Sequence, residues 1–125
     1  MWLFTRYGFF SAVCARADNS SRGFDPDRIA VRARKRSHLD ALRTRFRAEL
    51  GSAPIQVGGG TDYPFRLFVA KTVWASIAEA LANETDYHNF KNAVAEGEAG
   101  RRYESALHEI WRVMLGVEDG GAGRS

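Results

Sequence analysis

Residues 28–34 read RIAVRAR, and this stretch constrains the fold more than any other. Ile29, Val31 and Ala33 fall on one side of an extended chain, with Arg28, Arg32 and Arg34 on the other. A period of two with one apolar side belongs to a strand that buries a single face. Such a strand needs neighbours to pair with and a second layer to cover its apolar side.

The rest of the chain supplies both. WLFT (2–5) and GFFSAVCAR (8–16) are aromatic and β-branched runs about Tyr7-Gly8, which reads as a β-hairpin with Phe9 and Phe10 on opposite faces. Residues 17–27 are rich in Asp, Asn, Ser, Gly and Pro and read as a loop. After RIAVRAR, Ser37-x-x-Asp40 resembles a capping box opening HLDALRTRFRAEL, with Leu39, Leu42, Phe46 and Leu50 as the buried stripe and Gly51 as the stop. IQV (55–57) and PFRLFVAK (64–71) read as strands joined across GGG (58–60), a hairpin turn that is neither a GxGxxG nor a GK[ST] phosphate loop. Thr72 caps a helix with Trp74, Ile77, Ala78 and Leu81 on its apolar face. A third helix starts at Thr85 or Asp86 and buries Tyr87, Phe90 and Val94. The last, RRYESALHEIWRVML, presents Tyr103, Leu107, Ile110 and Met114, with Trp111 adjoining.

The order β-β-β-α-β-β-α-α-α has no regular βαβ alternation. It predicts an α+β domain over 1–116: an antiparallel or mixed sheet of about five strands covered by helices, ferredoxin-like with a C-terminal helical extension. Residues 117–125 are too polar and glycine-rich to order by themselves. At 125 residues the chain suits one domain that buries its core without staples. A single cysteine, Cys14, leaves no intrachain disulfide and reads as a buried strand residue. The start MWLFTRYGFFSAVCARA is broken by Arg6, Tyr7 and Gly8, so it reads as strands and not as a secretory signal. The expectation is a soluble, cytoplasmic protein with no membrane association.

The net charge of +3 is unevenly spread. Residues 1–60 hold eleven Arg/Lys against five Asp/Glu, and residues 61–125 hold seven against ten. The segment Arg28 to Arg47 has eight basic residues against Asp40 alone. Such a dipolar surface suits a polyanion, an acidic protein partner, or the acidic half of a second copy in a homodimer. Arginine serves phosphate well because its planar fork pairs with two oxygens. The bland alternative is a solvated polar face on elements that bury their other sides. An RNA-binding sheet would interleave aromatics with the basic side chains, and RIAVRAR alone shows only arginines.

Metal and hydrolase motifs are missing. His38, His88 and His108 are scattered, HEIWR lacks the second histidine of HExxH, and there is no GxSxG elbow. No metal or cofactor is implied. The tripeptide Thr-Asp-Tyr, however, occurs twice, in TDYPFR (61–66) and TDYHNFK (85–91). Asp62, Tyr63, Arg66, Asp86, Asn89 and Lys91 would bind an anion if the two segments met in one cleft. Each segment also has a local explanation, as a turn before a strand and as a helix cap.

Taken together, MWLFTRYGFFSAV, IAVRAR, TDYPFR, DYHNFK and WRVM resemble a family of small bacterial proteins with MWxFTxxGFxS, DYxxR, DYxNFK and WxxM elements at similar spacings. The resemblance spans residues 1 to about 115 and implies no particular activity. By motif it singles out Arg32, Arg34, Asp62, Tyr63, Arg66, Asp86, Tyr87, Asn89, Phe90, Lys91, Trp111 and Met114. The leading expectation is a binding or adaptor module without catalysis, whose acidic ligand meets Arg32, Arg34, Arg36 and the Asp62–Arg66 region. The rivals are a small enzyme on an anionic substrate, using Asp62, Asp86, His88 and Lys91, and a structural homodimer.

Overall fold

The computed structural model describes residues 1–18, 23–58 and 61–119. Strands β1 (Trp2–Thr5), β2 (Gly8–Arg16) and β3 (Phe24–Ala33) form an antiparallel meander. Helices α1 (Arg36–Arg45) and α2 (Arg47–Leu50) follow, then β4 (Gln56–Val57), β5 (Phe65–Ala70) and helices α3 (Lys71–Asn83), α4 (Phe90–Ala95) and α5 (Arg101–Leu115). The sheet order is β1-β2-β3-β5-β4, antiparallel throughout.

This order does not confirm a ferredoxin-like topology. The chain does contain a split β-α-β unit, since β3 and β4 flank β5 with α1 and α2 between them. The place on the other side of β3 is taken by β2, delivered by a short connection before the first helix. Adjacent strands joined this way pair antiparallel, so the meander forms without any crossover.

Register sorts the side chains cleanly. Phe10, Ala12, Ile29, Val31, Ala33, Leu67 and Val69 point to one face, where Leu39, Leu42, Phe46, Leu50, Trp74 and Ile77 from α1, α2 and α3 cover them. The expected stripe on residues 38–50 is therefore buried, although the helix breaks at Phe46, where φ is −111° and ψ is 52°. Helices α4 and α5 build a second, smaller core of Val94, Ala99, Tyr103 and Leu107. It packs on Phe4 and Phe9, which lie on the opposite sheet face.

Three local expectations are corrected. The segment 17–27 is not all loop, because Phe24–Asp27 extends β3 beside Arg16 and Ala15, past a register shift at Cys14/Ala15. Pro26 is tolerated there because β5 reaches only to Arg28, so that edge needs no N–H. Helix α1 begins at Arg36 and α3 at Lys71, and neither has a side-chain cap, so Ser37 and Thr72 are not N-caps. Helix α4 begins at Phe90, capped by Asn89 and not by Thr85 or Asp86, so Tyr87 lies outside it. Residues 19–22 of the expected loop, Gly59, Gly60 and residues 120–125 lie outside the described residues.

Candidate nucleic-acid interface

The sheet face turned away from α1, α2 and α3 carries the basic side chains. One row runs across all five strands: Trp2, Ser11, Arg32, Arg66 and Gln56 are successive cross-strand partners. The next row is Val13, Ala30 and Phe68, and Arg28 stands beyond it opposite Ala70. Trp2 is 68% exposed, while Ser11 and Ala30 are buried beneath the longer side chains around them. The strict alternation of β3 thus holds for its arginines, whereas Ala30 makes a buried floor between them.

Aromatic rings interleave with these arginines. The Arg28 guanidinium lies 4.5 Å from the Phe68 ring centroid. Tyr63, brought in by the turn before β5, lies 4.5 Å from the Arg32 guanidinium and 5.1 Å from that of Arg34. Phe9 stacks on Phe4 at 4.5 Å and meets Trp2 edge-on at 5.7 Å. Stacking on a ring holds a guanidinium in place without neutralising it.

The remaining contacts of the cluster are to neutral acceptors. Arg32 Nη2 donates to Ser11 Oγ at 2.8 Å, and Arg66 Nη2 donates to the Tyr63 carbonyl at 3.0 Å and to Thr61 Oγ1 at 3.4 Å. The Nε atoms of Arg32 and Arg66 are buried without a partner. Among the described residues, Arg28, Arg32, Arg34 and Arg66 form no ion pair with a carboxylate. Four cations on one face therefore keep their charge uncompensated.

The two Thr-Asp-Tyr segments part company here. The first places Tyr63 and Arg66 in the arginine cluster, with Asp62 exposed beside them. The second connects α3 on one side of the sheet to α4 on the other. Its Asp86 accepts from Arg6 Nη2 at 2.6 Å, and that hydrogen bond pulls the Asp86 carboxyl below the usual range while raising Arg6. Nearby, Tyr7 donates to Glu84, which also holds Arg45 at 2.8 Å. Burial, then this hydrogen bond, raises the Tyr7 phenol. The connector is thus tied to the hairpin turn.

A cleft of about 1030 Å³ opens between α1 and residues 86–99. Asp40 and Thr44 of α1 face Asn92 and Glu96 across it, and Arg6, His38, Asp86, His88 and Asn89 also line it. Asp62 and Lys91 are not among its lining residues. Lys91 instead sits 4.6 Å from the Trp111 ring centroid, and Arg36 pairs weakly with Asp40 at 3.7 Å on α1. Of the residues singled out from the sequence, then, Arg32, Arg34, Tyr63 and Arg66 come together, while Asp86 and Asn89 share the cleft. Arg28 joins the first four on the sheet face where its alternation placed it, while Trp2 and Phe68 also lie there and were not among the candidate binding residues. For Trp2 and Phe68 period-two spacing on their strands was the only signal, and it becomes informative once register is known.

Among the described residues no His, Cys, Asp or Glu grouping could hold a metal ion, and no helix is long and apolar enough to cross a membrane. Compared with protein families, with curated proteins and with solved structures, the chain matches none.

Proposed function

We propose that the part of this sheet face left uncovered by α4 and α5 binds single-stranded nucleic acid, making this protein a binding module without catalysis. The observation that carries this is the set of arginines at 28, 32, 34 and 66, which have no carboxylate ion pair among the described residues and share one antiparallel face with the exposed Trp2, the first three lying against the Phe68 and Tyr63 rings. Guanidinium groups track the phosphates, and the exposed Trp2 ring gives a base a surface to stack on. A flat face with aromatics suits unpaired bases better than a duplex, whose bases are already stacked. The strand order offers no support by fold analogy, so the reading rests on the face itself.

Fluorescence anisotropy with labelled single-stranded DNA and RNA tests it. Binding at low salt should weaken linearly in log–log form as salt rises. Arg28→Ala should lower that salt slope by about one across all sequences, as expected for one lost phosphate contact. Trp2→Ala should weaken binding by about 1–3 kcal/mol if a base stacks on it. Arg101→Ala, at the start of α5, should change neither. Absence of binding to both probes at low salt would overturn the proposal, as would binding indifferent to Arg28 and Trp2.

A further inference from the structure

Arg32 and Arg66 stand directly opposite each other on β3 and β5. Like charges so placed repel and cost a sheet stability. Among the described residues no carboxylate offsets the pair, and the neighbouring Asp62 is exposed and joins no ion pair. Both cations are nevertheless held in position. Ser11 Oγ and the Tyr63 ring fix Arg32, the Tyr63 carbonyl and Thr61 Oγ1 fix Arg66, and the same ring lies 5.1 Å from the Arg34 guanidinium. Every one of these contacts is to a neutral group, so it orients a guanidinium without cancelling its charge. Arg32 and Arg66 each also keep a buried Nε–H that meets no acceptor among the described residues, a condition rare in folded proteins.

A cluster with three uncompensated charges and unmet donors is one that lacks its anion. An internal phosphate of a strand is a poor match, because a phosphodiester brings a single negative charge. A phosphate monoester at the end of a strand carries about −1.5 to −2 near pH 7 and presents three acceptor oxygens. We infer that Arg32, Arg34 and Arg66 take the terminal phosphate of the single strand. This rests on the nucleic-acid reading of the face and names the part of the ligand that the cluster holds. Guanidinium forks on directly opposite residues can grip one phosphate group together, which a single arginine cannot do. Arg28 lies four residues along β3 from Arg32, about 13 Å at the rise of a strand, so it meets an internal phosphate further on. Trp2 lies in the same row as Arg32, two strands away, where a base near the bound end can stack.

Fluorescence anisotropy of the full chain with internally labelled single strands of one sequence tests this, the strands carrying a 5′ phosphate, a 3′ phosphate or neither. At matched salt, at least one phosphorylated strand should bind about tenfold tighter than the bare one, the worth of an added charge-assisted hydrogen bond. Arg34→Gln, at an exposed position, should erase that preference. Arg66→Gln, its fold checked by circular dichroism, should do the same. Arg28→Ala should weaken all three strands alike and keep the ratio. Equal binding of the three strands would overturn the inference and leave the single-strand reading standing, whereas no binding of any strand at low salt would overturn both. A preference that survives both glutamine variants would overturn it too, since the phosphate would then sit elsewhere. Inorganic phosphate competing as well as the phosphorylated strand itself would make free phosphate the ligand and overturn the assignment to a strand end.

Discussion

Gly8 and His38 show how a single contact organises one corner of the molecule. The backbone at Gly8 takes a φ of +144°, and a Cβ there would fall inside the His38 ring. The close approach lets Phe9 N–H donate to His38 Nδ1 at 3.3 Å, which leaves the proton on Nε2 and the imidazole neutral. Burial lowers the His38 pKa; the Ala99 carbonyl opposes the shift and Lys35 adds to it. The unfolded chain therefore takes up the proton first. Stability is fully present above about pH 6.5, the ordinary histidine value, and is lost as pH falls through it towards the lower folded pKa. Thermal unfolding followed between about pH 7.5 and about pH 5.5 should show a falling midpoint. His38→Gln, which keeps an acceptor but does not titrate, should flatten that slope. From the sequence His38 was one of three scattered histidines; its burial depends on a glycine thirty residues away in the chain.

At the scale of elements, the periodic stripes were legible and the helix starts were not. Leu39, Leu42, Phe46 and Leu50 are buried as their spacing requires, and α5 spans the residues that its pattern marks. The caps differ because several candidate Thr, Asp and Asn side chains compete before α4. Asp86 is drawn away by Arg6, a partner eighty residues distant, and Asn89 takes the cap by accepting from Asn92 N–H at 3.1 Å. Asn89→Ala should cost about 1 kcal/mol in a denaturant titration, the usual worth of such a cap. Asp86→Ala should leave the helix start unchanged, which circular dichroism would show.

For the whole molecule, the question is how two cores on opposite sides of one sheet stay together. The connector at 84–89 carries the chain from one side to the other, and Tyr103 fastens the second core by donating its hydroxyl to the Thr5 carbonyl at 2.7 Å. Burial raises the phenol well above its usual pKa, with Tyr87 adding to the shift and the Thr5 contact opposing it. Tyr103→Phe should lower global stability by about 1–2 kcal/mol, because a buried carbonyl loses a partner. Native-state hydrogen exchange should show the loss concentrated in α4 and α5, with β2 and β3 less affected.

What the amino-acid sequence determined by itself is the α+β class, the one-sided strand at 28–34 and the stripes of the helices. These follow from local geometry: the two-residue repeat of a strand and the 3.6-residue repeat of a helix reveal themselves within a dozen residues. Only the tertiary structure decided that β5 inserts between β3 and β4, which sets Arg66 beside Arg32 and brings Tyr63 against both Arg32 and Arg34. It likewise decided that the α5 stripe is half used, leaving Met114 in solvent where its spacing alone suggests core. Such outcomes depend on which distant segments pair and on how far a neighbouring core reaches. No local periodicity encodes either, so they exist only once the chain has folded.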